Sequence, residues 1–137
     1  MSARASRPQR APRPPRTLVQ KLAPIVLGFE AIVVFLAGLT IFGLNVLPAG
    51  IPSWWGIVFG VVMALLMWAV AGMITKPWAI AAGWVLQAIV ALSAILVPAI
   101  AFVVLIFGGM WAYATIMGAR IDARAPRAEA ETPTESE

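Results

Sequence analysis

The chain has 137 residues, 61% of them hydrophobic and 12% charged, with a net charge of +4 and a mean hydropathy of +0.91. Soluble domains carry about 45–50% apolar and about 25% charged residues, and small ones bury the smallest share of their surface, so this composition excludes a soluble fold and calls for lipid as solvent. Cysteine and histidine are both absent, which excludes disulfides, thiolate or imidazole metal sites, and catalysis by a Cys nucleophile or a His base.

The basic N-terminal segment comes first. Arg4, Arg7, Arg10, Arg13, Arg16 and Lys21 precede the apolar region, while Arg120, Asp122, Arg124, Arg127 and four glutamates follow it. The 97 residues from Leu22 to Gly118 hold two charges, Glu30 and Lys76. A basic stripe can mark a nucleic-acid surface, but arginines that abut a membrane span are explained by the excess of Lys and Arg on the cytoplasmic side. No nucleic-acid partner is expected. Residues 1–21 are read as a disordered tail whose arginines recur every third residue among prolines, a spacing that a polyproline II helix would align on one edge. Together with Lys21 and Lys76 they are candidate contacts to anionic lipid headgroups, at about 1 kcal/mol per basic residue. The plainer reading, a topology signal alone, is preferred.

Four apolar segments follow, each near the roughly 20 residues that an α-helix needs to cross about 30 Å of hydrocarbon. The first runs from about Leu22 to Leu47 and ends in Pro48-Ala49-Gly50-Ile51-Pro52, where two prolines interrupt helical hydrogen bonding. The second covers about Ser53 to Ile74 and stops at Thr75-Lys76-Pro77; the third covers about Trp78 to Leu96, and the fourth about Pro98 to Gly118. Only Val97 separates the last two, which predicts a tight hairpin with Pro98 in the first helical turn. The first segment is too long for the apolar core of a cleaved signal, about 7–15 residues, and is read as a retained span. The rest, 119–137, is read as a disordered tail, acidic at its end.

The predicted fold class is therefore all-α: an integral membrane four-helix bundle, up-down-up-down. All ten cations fall on one side of it, which places both termini in the cytoplasm and the chain in the plasma membrane. Trp54, Trp55 and Trp78 lie at span ends, where an indole favours the headgroup region.

Glu30 is the residue within the spans that demands explanation. It lies nine residues past Lys21, about 13 Å into the bilayer, where an ionisable group costs about 2.5–3.5 kcal/mol and normally faces protein or water. Gln87 lies nine residues past Trp78 on a helix of the same direction, hence at equal depth. At about 100° per residue, Glu30 shares a face with Ala23 and Ala37, and Gln87 shares one with Gly83, Ala91 and Ala94. Small residues around a polar one let backbones approach. Glu30 and Gln87 are thus predicted to hydrogen-bond inside the bundle, in an intramembrane polar cluster that Trp68, Trp84, Trp111 and Tyr113 have the depth to join. Two readings of Glu30 compete: a site for a proton, cation or cationic substrate, and a neutral residue holding the first helix to the third. The second is preferred.

Small residues supply the packing. Gly56, Gly60 and Ala64 form a stripe that Ala71 extends, and Ala101, Gly108, Ala112, Thr115 and Ala119 form another on the fourth helix; Gly83 belongs with Gln87. Such stripes suit close contact within the chain or with a second copy.

With Glu30 in LGFEAIVV, Lys76-Pro77-Trp78 leading to Gly83-Trp84-Val85-Leu86-Gln87, and Gly118-Ala119-Arg120-Ile121-Asp122, the chain resembles a family of small uncharacterised actinobacterial membrane proteins, domain of unknown function 4233, often encoded beside folylpolyglutamate synthase. The resemblance covers roughly Thr17 to Arg124 and implies four spans, a first-span Glu at Glu30 and a third-span Gln at Gln87. That family often has Pro-Trp-Gly where this chain has Pro77-Trp78-Ala79. The resemblance implies no activity.

Three functional classes fit the sequence to different degrees. An accessory or regulatory subunit of a membrane assembly fits short loops and few reactive groups; its partners would be the lipid bilayer and a second copy or another membrane protein. A small proton-coupled transporter using Glu30 is the alternative, since four spans with a first-span glutamate resemble the small multidrug resistance exporters, although the strong charge bias argues against their antiparallel pairing. A membrane enzyme would need a nucleophile, base or metal cage; Glu30 and Asp122 sit at different depths, so no catalytic residue, metal or cofactor is expected.

Overall fold

In a computed structural model of the chain, the structure describes residues 15–131, with side chains as far as Ala125. Arg4, Arg7, Arg10 and Arg13 lie outside the described residues, as does the acidic end, 132–137.

Among the described residues, four helices follow one another. The first, α1, spans Leu18–Leu44 and starts where its N-terminus can be capped: Thr17 has extended backbone and its side chain accepts from the Gln20 N–H, while the Gln20 side chain accepts from the Thr17 N–H, a capping box. It stops at Asn45, which takes the left-handed conformation (φ 54°) that satisfies late carbonyls. The turn beyond contains Pro48, Pro52 and Gly50, the last at φ 96°, a conformation that favours glycine. Helix α2 spans Trp54–Gly72. Lys76 is extended and Pro77 occupies the first turn of α3, Pro77–Ser93, where its missing N–H costs nothing. The fourth helix, α4, is continuous from Ile100: α-helical Ile100–Val103, a π-helical turn Val104–Gly108, α-helical Gly109–Ala112, a second π-helical turn Tyr113–Met117, and α-helical Gly118–Glu131.

These bounds correct three sequence expectations. The first helix begins a turn earlier than Leu22 because the capping box at Thr17 can start it. The third ends at Ser93 and the fourth starts at Ile100, so residues 94–99, not Val97 alone, join them. The segment 119–131, expected to be disordered, continues α4; it is rich in Ala, Arg and Glu, strong helix formers, and grows from a helix already nucleated.

Consecutive helices run antiparallel, and neighbours around the bundle follow the order α1, α2, α3, α4, which leaves α1 and α3 on a diagonal. The closest approach is between α1 and α2. A Cβ at Gly38 would lie 2.5 Å from the Gly56 carbonyl oxygen, and one at Gly60 would lie 3.2 Å from the Gly38 Cα, so the two backbones touch. The core is lined by Ala23, Leu27, Ala31, Met67, Ala79 and Val90. Outside it, large apolar side chains such as Phe29, Leu36, Leu65, Phe102 and Leu105 are exposed, a surface suited to acyl chains and not to water. Helices α1, α2 and α4 are long and apolar enough to cross a membrane, while α3 is a shorter apolar helix of 17 residues, about 25 Å.

A buried acid–amide pair as candidate functional site

The inward face of α1 carries Ala23, Leu27, Ala31, Val34, Gly38 and Ile41, all buried. Glu30 falls on this same face, one turn from Leu27 and Val34, and is 0% exposed. The inward face of α3 carries Ala79, Gly83, Leu86 and Val90, with Gln87 among them. Across the diagonal of the bundle, Gln87 Nε2 donates to Glu30 Oε2. The hydrogen bond expected between these two residues is present.

Helix α4 closes the pair off. Trp111 is also 0% exposed, and its indole packs against Gly83, where a Cβ would stand 2.1 Å from the ring. Gly83 is therefore the floor on which Trp111 rests. Gly108 stands over the amide, its Cβ position 3.6 Å from Gln87 Oε1. Thr115 lies one turn beyond Trp111, and its hydroxyl donates to the Trp111 carbonyl at 2.8 Å. That supplies a donor where the π-helical turn departs from the regular i→i−4 ladder.

Of the four aromatic residues that depth alone brings to this level, Trp111 alone is buried, and its indole N–H has no partner. Trp68, Trp84 and Tyr113 are 54%, 43% and 63% exposed and face outward, because depth fixes height along a helix and not rotation about it. The packing residues divide similarly. Gly56, Gly60 and Ala64 are buried, with the two glycines against α1; Ala112 is half-buried, and Ala101 and Ala119, expected on the same stripe, face outward. Arg16, Lys21 and Lys76 are exposed at the helix ends. Trp54 and Trp55 stack at the start of α2, centroids 4.7 Å apart and planes at 21°, and Trp78 is half-exposed at the start of α3.

Two functional residues escape sequence reasoning. Asp122 on α4 accepts the backbone N–H of Leu18 through Oδ1 at 2.8 Å and that of Val19 through Oδ2 at 3.3 Å. With Thr17 taking Gln20 and Lys21, the first four N–H groups of α1 all have acceptors, the usual deficit of a helix start. An acid also suits the positive end of the helix dipole. Gly118, one turn before Asp122, permits this approach: a Cβ there would lie 2.9 Å from Val19 Cγ2. The other residue is Gly38, the partner of the Gly56–Gly60 stripe. The α1 face arithmetic could have pointed to it; nothing local pointed to Asp122.

Chemically, the centre offers one carboxyl, one amide and one indole. Among the described residues, no group of three or more His, Cys, Asp or Glu comes together.

Sequence and structure together define an all-helical protein whose long helices suit a bilayer and converge on a buried acid–amide pair. The chain belongs to the family described as Protein of unknown function (DUF4233), which matches residues 21–127 and so takes in Glu30, Gln87, Trp111 and Asp122. No curated protein and no solved structure matches the chain.

Proposed function

We propose that the protein is a multi-pass plasma-membrane protein with four alternating spans and cytoplasmic termini, and that it acts without catalysis, as an accessory or regulatory subunit of a membrane assembly. The charge distribution supports the topology: Arg16, Lys21, Lys76, Arg120 and Arg124 mark one end of the antiparallel bundle, and the turns at the other end hold no charge. The tryptophans at helix starts fit interfacial anchoring on both sides.

The observation that carries the functional reading is the complete burial of Glu30. A carrier must open its acid to one side of the membrane; here the acid is used to join α1 to α3. Two cavities, of about 420 and 550 Å³, flank residues 96–100 and are lined by apolar residues such as Ile41, Leu96, Val97 and Ile100, far along the bundle from Glu30. The exposed apolar faces of the helices are the surface left for partners.

Crosslinking capture from native membranes tests the assignment. One membrane protein, or a second copy of this chain, is expected at fixed stoichiometry. Recovery of the chain alone would overturn the reading, and proton-driven flux in proteoliposomes that Glu30→Gln abolishes would replace it with the carrier.

A further inference from the structure

The pair that joins α1 to α3 is incomplete as a set of hydrogen bonds. Gln87 Nε2 serves Glu30 Oε2, yet Glu30 Oε1 and Gln87 Oε1 are buried with no partner, as is Trp111 Nε1. The two oxygens are both acceptors and cannot satisfy one another. Leaving each bare in the interior is costly, and more so if the carboxyl is charged.

The Trp111 N–H bonds to neither oxygen, and beyond it the described side chains of the surrounding helices supply no donor to spare and no counter-charge. Within α1 the other ionisable residue is Lys21, exposed at its start; α2 and α3 contain none; among the described side chains α4 brings Tyr113, which faces outward, with Arg120, Asp122 and Arg124 towards its far end. The Thr115 hydroxyl is already committed to the Trp111 carbonyl. Lys76, between α2 and α3, is exposed. The donor that remains is a proton on Glu30 itself.

We propose that Glu30 and Gln87 form a single-proton binding site: the acid O–H on Glu30 Oε1 donates to Gln87 Oε1 while Gln87 Nε2 donates to Glu30 Oε2. Each side chain then donates once and accepts once, and no net charge is left in the bundle centre. The proton accounts for both oxygens and not for the Trp111 N–H. Loss of the proton would leave a charge and two opposed acceptors between α1 and α3, so the contact between these helices is a proton-held latch. This deepens the reading of Glu30 as a residue joining helices and does not depend on any partner being found.

Infrared difference spectroscopy of the full chain in lipid vesicles, wild type minus Glu30→Gln, reads the proton directly. At neutral pH a protonated-carboxyl C=O band is expected in the wild type, shifted in heavy water, absent from Glu30→Gln and restored in the swapped Glu30→Gln/Gln87→Glu variant. Gln87→Leu should keep the band but move it to higher frequency, as an acid loses its hydrogen-bonded partner. A wild type showing carboxylate bands alone, or a band indifferent to Gln87→Leu, overturns the proposal. Folding gives a second readout: Glu30→Gln places an N–H where the acid O–H stood and should change the unfolding constant by less than about threefold, whereas Glu30→Leu strands the amide and should cost about tenfold or more. Equal losses in the two variants would also overturn it. A failed capture experiment would leave the band in place, and a missing band would leave any captured partner in place.

Discussion

Replacing Gly38 with alanine inserts a methyl group where α1 and α2 touch backbone to backbone. The new Cβ would stand 2.5 Å from the Gly56 carbonyl oxygen, 3.0 Å from the Gly60 Cα and 3.3 Å from the Gly60 nitrogen. Ordinary contact begins near 3.4 Å, so the helices must part by about 0.9 Å along the line to the carbonyl. No side chain lies in the way that could rotate aside, and Gly56 is itself pressed on Ile41. Overpacking costs about 1–3 kcal/mol, and with only backbone to move the upper end applies, about 3 kcal/mol. The helix-propensity gain of Ala over Gly, about 1 kcal/mol, offsets part of this, for a net loss of about 2 kcal/mol. Gly28 and Gly43 lie on the same helix with nothing within 4 Å of a Cβ, so alanine there should be neutral or stabilising by up to about 1 kcal/mol. Equilibrium unfolding of lipid-reconstituted protein by detergent titration, followed by circular dichroism, compares the three. A Gly38→Ala variant as stable as Gly28→Ala would refute the backbone-contact argument.

Three more outcomes follow from named contacts. Gly83→Ala should expel the Trp111 ring from its seat, costing about 1–3 kcal/mol and exposing the indole to quenching; unaltered emission from a variant retaining Trp111 as its sole tryptophan would contradict it. In single-tryptophan variants, brominated acyl chains should quench Trp68 and Trp84 strongly and Trp111 weakly, and equal quenching would contradict the inward seat of Trp111. Asp122→Ala should cost about 0.5–2 kcal/mol, as lost helix caps do, with faster amide exchange at Leu18 and Val19 and none of that change at Gln20, which Thr17 holds.

How much of this was legible beforehand varies with the physics of each contact. The four helices were, because apolar length and prolines are local properties, and Pro48, Pro52 and Pro77 mark breaks that no tertiary contact can remove. Glu30 and Gln87 could be paired because rise per residue sets depth and 100° steps set face; both quantities survive folding. Trp68, Trp84 and Tyr113 could not be told from the buried Trp111 because an apolar helix in lipid is nearly uniform around its circumference, so polarity does not announce which side is inside. What did separate them was Gly83, the one position small enough for an indole to lie across α3. Asp122 was hidden for a different reason: its partners are backbone N–H groups 103 and 104 residues away, and backbone has no sequence signature.

The three contacts that hold α1 share a logic imposed by lipid. Acyl chains are as apolar as leucine, so burying one more leucine between helices gains little, and association must come from close packing and polar contacts. Helix α1 meets α4 at Leu18 and Val19 through a cap, α3 at Glu30 through an acid–amide bond, and α2 at Gly38 through bare backbone. Twenty residues separate the first contact from the last, about 30 Å along the helix, and each engages a different neighbour. Contacts more than about 7–10 Å apart with no shared partners add within about 0.5 kcal/mol, so the Asp122→Ala/Gly38→Ala double variant should lose close to the sum of the single losses. The same detergent titration measures it. A coupling above about 1 kcal/mol would mean that α1 transmits strain between its ends.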